Sequence, residues 1–113
     1  MQVEFRNEER LAIIQPPPTL NAAVIDQIRE DWFFWLQNTK AVRNVILDMR
    51  QVAFMDSSGL GLLVAFLRRV VTRGGDLKIV GLQPGVRVVF EITRAYKIFE
   101  IFDTVDEAAQ SIS

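Results

Sequence analysis

Strand and helix signals alternate along this chain, which predicts an α/β fold: one domain spanning 1–113, with a mixed, mostly parallel sheet of four to five strands, an N-terminal antiparallel hairpin and about four helices. Three observations carry that prediction. Val45-Ile46-Leu47 opens a continuous apolar run, as a strand buried on both faces of a parallel sheet does. From Leu60 the apolar residues change to helical spacing, at Leu60, Leu63, Val64, Leu67, Val70 and Val71. The length, 113 residues, suits a single core that buries roughly 65% of the unfolded surface without a disulfide or a metal.

Each element has its own signal. Val3 to Phe5 and Leu11 to Ile14 read as strands joined by the polar turn Asn7-Glu8-Glu9, giving the hairpin. Pro16-Pro17-Pro18 excludes both helix and ladder and makes a stiff connector. Thr19 or Asn21 can cap a helix from Ala22 to about Asn38, whose apolar face holds Val24, Ile25, Ile28, Trp32, Trp35 and Leu36. Phe33 and Phe34 fall outside that stripe; they either tuck against neighbouring segments or form a contact patch, fit for a homodimer or a further partner.

Val45 to Met49 is the central strand, and the helix that follows Ser58 stops at Gly74-Gly75, with Arg68, Arg69 and Arg73 near its negative end. Leu77 to Val80 is a further strand. Pro84 is placed to open a third helix that turns Val86, Val89, Phe90 and Thr93 to one side. Ile98 to Phe102 is a short extended piece. Asp103 or Thr104 caps a last helix, Val105 to Ile112, with Asp106 and Glu107 in its first turn.

Composition removes whole classes of chemistry. There is no cysteine and no histidine, so thiolate, disulfide and imidazole catalysis are excluded, and a metal site would have to be all-oxygen. Thirteen basic residues against 14 acidic leave a net charge of −1, and no clustered basic surface for nucleic acid is visible. Apolar runs are broken well short of the ~20 residues a membrane span needs, and the opening Met-Gln-Val-Glu-Phe-Arg lacks a signal-peptide core. The chain reads as a soluble cytoplasmic domain.

Chemistry concentrates at Asp56-Ser57-Ser58-Gly59, where a strand feeds a helix. Serine hydroxyls there lie at a helix N-terminus, whose unpaired N–H groups favour negative charge, so the turn is a good seat for a phosphate. An enzyme reading is weak. Gly-x-Ser-x-Gly is absent, Lys40, Lys78 and Lys97 have no reason to converge on the serines, and Gly59-Leu60-Gly61 lacks the rest of a phosphate loop. Asp48 at a strand end resembles a phosphoacceptor aspartate, but prolines stand where its acidic neighbours would be. The same four residues also serve as ordinary cap and packing residues. What favours a binding module is the helix that follows: Leu62 and Phe66, with Ala65, Arg69 and Arg73, are expected opposite the Leu60-Leu63-Leu67-Val71 stripe, as a docking surface.

Leu47-Asp48-Met49 and Val52-Ala-Phe-Met-Asp-Ser-Ser-Gly-Leu-Gly61 closely resemble the signature of the STAS domain family in its bacterial anti-sigma factor antagonist branch. The resemblance continues through Thr19–Ala23, Gly75–Val80, Pro84–Thr93 and Ile98–Asp103. It implies a non-enzymatic partner-switching protein without a cofactor. In that family the unphosphorylated antagonist binds an anti-sigma factor that is also a serine kinase, and so releases a sigma factor. Phosphorylation of the serine before the glycine, here Ser58, ends the interaction, and a serine phosphatase reverses it. Asp56, Ser57, Gly59, Leu62, Phe66, Arg69 and Asn21 are the partner-contacting positions expected on this basis. The alternative within the family is a phosphorylation-independent scaffold or transporter-associated subunit. Three departures stand out: prolines and Asn21 replace a Gly-x-x-Asp entry to the first helix, Arg94 stands where glycine is common, and Phe33-Phe34 is unusually apolar.

Overall fold

The computed structural model describes residues 1–112. In chain order the elements are β1 (Gln2–Arg6), β2 (Leu11–Gln15), β3 (Thr19–Leu20), α1 (Ile25–Asn38), β4 (Asn44–Asp48), β5 (Phe54–Met55), α2 (Ser57–Thr72), β6 (Leu77–Val80), α3 (Pro84–Ile92), β7 (Glu100–Phe102) and α4 (Val105–Gln110), with a short 3-10 turn at Ala95–Lys97. Five strands form one sheet in the order β1-β2-β4-β6-β7. β1 and β2 are antiparallel, with Arg6 opposite Leu11, and the remaining neighbours are parallel. The mixed sheet, its N-terminal hairpin and the four helices are those expected from the pattern of the chain. Among the described residues, no helix is long and apolar enough to cross a membrane.

The apolar strand runs are explained by burial on both faces. Ala12, Ile14, Val45, Leu47, Leu77 and Ile79 point into the larger core with Ile25, Trp32 and Leu36 of α1, Leu63 and Phe66 of α2, and Val86 and Phe90 of α3. Leu11, Ile13, Ile46 and Val80 point the other way, to a smaller core closed by Ala108 of α4. Three helices therefore cover one face and one short helix the other. Two charged side chains sit on that thinner side: Lys78, paired to Glu100 at 2.7 Å, and Asp48, paired to Arg50.

Two short strands had no counterpart in the sequence pattern. Thr19–Leu20 and Phe54–Met55 pair in parallel as a separate ribbon, with Pro18 O accepting from Ala53 N and Phe54 N. Thr19 is thus a strand residue rather than a helix cap, and α1 begins at Ile25 after a turn in which Asn21 O accepts from Val24 N and Ile25 N. At the other end of α1, the guanidinium of Arg73 donates to the carbonyl oxygens of Leu36, Thr39, Lys40 and Val42. A cation at the carbonyl-rich, negative end of α1 ties the end of α2 to it.

Positive φ falls on residues that seldom adopt it. Asn7, Glu8 and Glu9 in the hairpin turn have φ of 55, 58 and 68°, and Arg94 has φ 61°. Arg94 follows the C-cap of α3, the position at which glycine ordinarily closes a helix. The last helix is capped by Thr104, with a reciprocal bond from Glu107.

Candidate functional site

The β5 strand leads into Asp56, which caps α2 with an extended backbone. One carboxylate oxygen accepts from Ser58 N at 2.9 Å, from Gly59 N at 3.1 Å and from Ser58 Oγ at 2.5 Å. The other accepts from Ala22 N at 3.1 Å. A single carboxylate therefore joins the first turn of α2 to the entry of α1. These donors hold the Asp56 carboxyl below its ordinary range, the Ser58 hydroxyl most strongly, followed by the backbone N–H groups of Gly59, Ala22 and Ser58.

Gly59 is required by packing. A Cβ there would lie 2.5 Å from Leu20 O and 2.6 Å from Met55 Cγ, so the first turn of α2 rests directly on the β3–β5 ribbon. Asn21 lies beside the same junction: its Oδ1 accepts from Ala23 N and shapes the entry turn, next to the Ala22 N–H that Asp56 holds. Asp56, Ser57, Ser58, Gly59 and Asn21 are thus brought together. Ser57 is exposed, and Ser58 is partly exposed with its hydroxyl turned to Asp56.

Two of the remaining predicted contacts are corrected. Leu62 and Phe66 are completely buried, not a docking surface. α2 packs on the sheet below and on α1 at its side, and both residues fall in the arc so covered. The Phe66 ring lies 5.1 Å from Trp32 and stacks on Phe33 at 6.3 Å. Val71, assigned to the core stripe, is instead exposed. Arg69 is exposed but carries its guanidinium 4.5 Å over Phe33, about 16 Å along the helix from Ser58 at 1.5 Å per residue. Phe33 is therefore engaged within the chain, and of the Phe33–Phe34 pair only Phe34 stands free, 69% exposed.

One surface residue near the site escaped the sequence pattern. Phe54 is 53% exposed two positions before Asp56, where it alternates with buried Met55. That out-and-in alternation was its only sequence signal, too short to register as a strand. Gly61, one helical turn beyond Ser57, is exposed as well.

On the opposite face a cavity of about 440 Å³ is lined by Glu4, Arg6, Gln15, Asp48, Arg50 and Asp106, among others. Its charged groups are paired with one another, three acidic against two basic. Arg50 donates to both oxygens of buried Asp48, at 2.8 and 2.6 Å, and holds that carboxyl below its ordinary range, while Arg6 bonds Glu4 and Asp106. Among the described residues no three His, Cys, Asp or Glu side chains converge as a metal site.

Comparison with known proteins adds a consistent family assignment. The STAS domain profile matches residues 2–108. The anti-sigma F factor antagonist of Paenibacillus polymyxa is 23% identical over 103 residues, covering 91% of this chain and 87% of that protein. The anti-sigma factor antagonist SpoIIAA, solved in its unphosphorylated form, is 25% identical with a TM-score of 0.76, covering 97% of this chain and 93% of that one. The crystal structure of a candidate anti-sigma factor antagonist from Thermotoga maritima superposes with a TM-score of 0.88 at 23% identity, covering 98% and 92% of the two chains.

Proposed function

This chain belongs to the STAS domain family, and from that premise we propose that it is an anti-sigma factor antagonist whose docking is controlled at Ser58. The unphosphorylated form binds an anti-sigma factor that is a serine kinase, and a phosphatase restores that form. Ser58 is a substrate side chain in this reading, and the chain itself is not an enzyme. The observation that carries it is the setting of the Ser58 hydroxyl, partly exposed in the first turn of α2 and held 2.5 Å from the carboxylate of Asp56.

Esterifying that hydroxyl adds about −1.5 to −2 charges and three acceptor oxygens. The Ser58 and Gly59 N–H groups are already held by Asp56, so the phosphoryl group shares them with that carboxylate and otherwise turns to solvent. α2 stays anchored by buried Leu62 and Leu63, and the fold survives. The cost falls on docking, because Asp56 stands beside the new charge and a partner must cover both. An unpaired charge in an interface costs several kcal/mol, and each ~1.4 kcal/mol is tenfold in affinity. The contact face in this reading comprises Asn21, Phe54, Asp56, Ser57 and Ser58, while Leu62 and Phe66 support it from within.

The test is a pull-down from extract of the source cells with wild type beside Ser58→Asp. The captured protein is identified by mass spectrometry, purified, and incubated with wild type and ATP. The expected outcome is an anti-sigma factor that phosphorylates Ser58 and binds Ser58→Asp at least tenfold more weakly, with Ser58→Ala bound constitutively. Equal affinity for Ser58→Asp, or absence of label at Ser58, overturns the switch.

A further inference from the structure

Cations from three separate parts of the chain meet at the opposite end of α2 from Ser58. Arg10 follows the hairpin turn, Lys40 and Arg43 lie in the loop between α1 and β4, and Arg73 closes α2. With Ala41 and Val42 they line a cavity of about 370 Å³. Among the described residues none of the four cations is paired with a carboxylate. The acidic residues nearby in sequence, Glu8, Glu9 and Asp76, do not line the cavity.

The main chain holds this cluster in place. Arg43 N donates to Arg10 O at 2.8 Å, which fixes the two residues side by side, and a Cβ at Gly75 would strike Arg43 O. Arg43 Nε donates to Gly74 O at 3.1 Å, and the Arg73 guanidinium is committed to the carbonyl oxygens of Leu36, Thr39, Lys40 and Val42. Two of the cations thereby answer the negative ends of α2 and α1. Each end carries roughly half a charge, so the four cations leave a surplus of about three. Arg10 and Lys40, both exposed, and the remaining N–H groups of Arg43 present that surplus to the cavity.

We propose that this cavity binds a phosphoryl ligand carrying two or more negative charges, such as a diphosphate group. Its only apolar lining is Ala41 and buried Val42, which leaves nothing to hold a base, a ring or an acyl chain. Recognition falls on charge and donor geometry. Guanidinium forks match phosphoryl oxygens two at a time, and the Lys40 ammonium adds a point charge. Because the groups are fixed before the ligand arrives, little ordering opposes binding. The cavity lies about 22 Å along α2 from Ser58, so this site is separate from the proposed switch and does not rest on it.

The test titrates inorganic pyrophosphate into the full chain by calorimetry near physiological ionic strength, with thermal unfolding alongside. Wild type is compared with Arg10→Gln, Lys40→Gln and Arg68→Gln, the last an exposed arginine of α2 outside the cavity. Expected is saturable one-to-one binding that raises Tm. It weakens about tenfold in Arg10→Gln and in Lys40→Gln, each with a folded circular-dichroism spectrum, and is unchanged in Arg68→Gln. Phosphatidylcholine vesicles containing phosphatidylinositol bisphosphate distinguish the source. Vesicle binding that Arg10→Gln also weakens assigns the site to a lipid headgroup, and binding of pyrophosphate alone assigns it to a soluble phosphate compound. Absence of saturable pyrophosphate binding overturns the proposal. Equal weakening in Arg68→Gln overturns it too, as a diffuse charge effect, and tighter binding of a polyglutamate peptide than of pyrophosphate overturns the ligand class.

Discussion

Replacing Phe66 by alanine separates a core role from a docking role by a wide margin. Its side chain is completely buried, against Trp32 at 5.1 Å and stacked on Phe33 at 6.3 Å. Truncating a buried phenylalanine costs about 3–5 kcal/mol through lost transfer energy and the cavity left behind. Two aromatic neighbours add roughly 0.5–1.5 kcal/mol each beyond area, which places Phe66→Ala near the top of that range, at about 4–5 kcal/mol. Against a total stability of about 5–15 kcal/mol, and at roughly 4 °C per kcal/mol for a domain of this size, Tm drops by about 15–20 °C. Thermal unfolding followed by circular dichroism reads this directly. Phe66→Leu keeps most of the volume and loses about 1–2 kcal/mol, and at a temperature where it is folded it binds the anti-sigma factor within threefold of wild type. A Tm within 2 °C of wild type for Phe66→Ala, or a folded Phe66→Leu that fails to bind, refutes the assignment of this ring to the core.

Two further outcomes follow from backbone and charge. Arg94 pays for a left-handed conformation that glycine adopts freely, partly offset by the greater freedom of glycine when unfolded, so Arg94→Gly stabilises by about 0.5–1 kcal/mol in urea or thermal unfolding; destabilisation would show that the arginine side chain holds the end of α3. The Asp56 carboxyl is depressed when folded relative to its ordinary value of 3.8. Its contribution is therefore complete above that value and is lost as pH falls through the folded value. The Tm of wild type falls on acidification below about pH 4, and Asp56→Asn, which keeps the cap but cannot ionise, falls less steeply over the same window.

Most of the fold was legible because each large element carries its own period. The apolar runs of β2, β4 and β6 and the helical spacing in α1, α2 and α3 identify those elements without reference to one another. What the pattern could not show were relations between elements. The β3–β5 ribbon has two residues per strand, too few for any period, and exists because two distant loops meet. The arc of α2 that is buried depends on α1 lying beside it, so Leu62 and Phe66 read as surface until the neighbouring helix is in place. Arg73 read as a cation for the end of its own helix, yet its long side chain reaches the carbonyls at the end of α1. At the site, the motif residues Asp56, Ser57, Ser58 and Gly59 were legible from local chemistry, since a cap, a hydroxyl and a close-packed glycine need only their immediate neighbours. Phe54 was not, because its exposure shows only once the β3–β5 ribbon is in place.

That division between inside and outside also bears on the proposed switch at Ser58. Ser58 stands one turn before Leu62 and Leu63, both fully buried, so the helix is anchored in the core immediately beyond its exposed tip. Gly59 presses the tip onto the β3–β5 ribbon through backbone contact, which does not depend on charge. A charge added at the tip consequently meets two responses of very different size. Within the chain, the N–H groups of the first turn and the adjacent solvent accommodate it, and Asp56 can yield its bonds to water at an exposed edge. Across an interface, neither remedy is at hand, because docking removes the water and brings the new charge up against Asp56 and the partner together. The same group is then nearly neutral for folding and strongly unfavourable for binding. A position deeper in α2 would make phosphorylation unfold the domain, and one on the far face, near Asp48 and its arginine, would leave docking untouched.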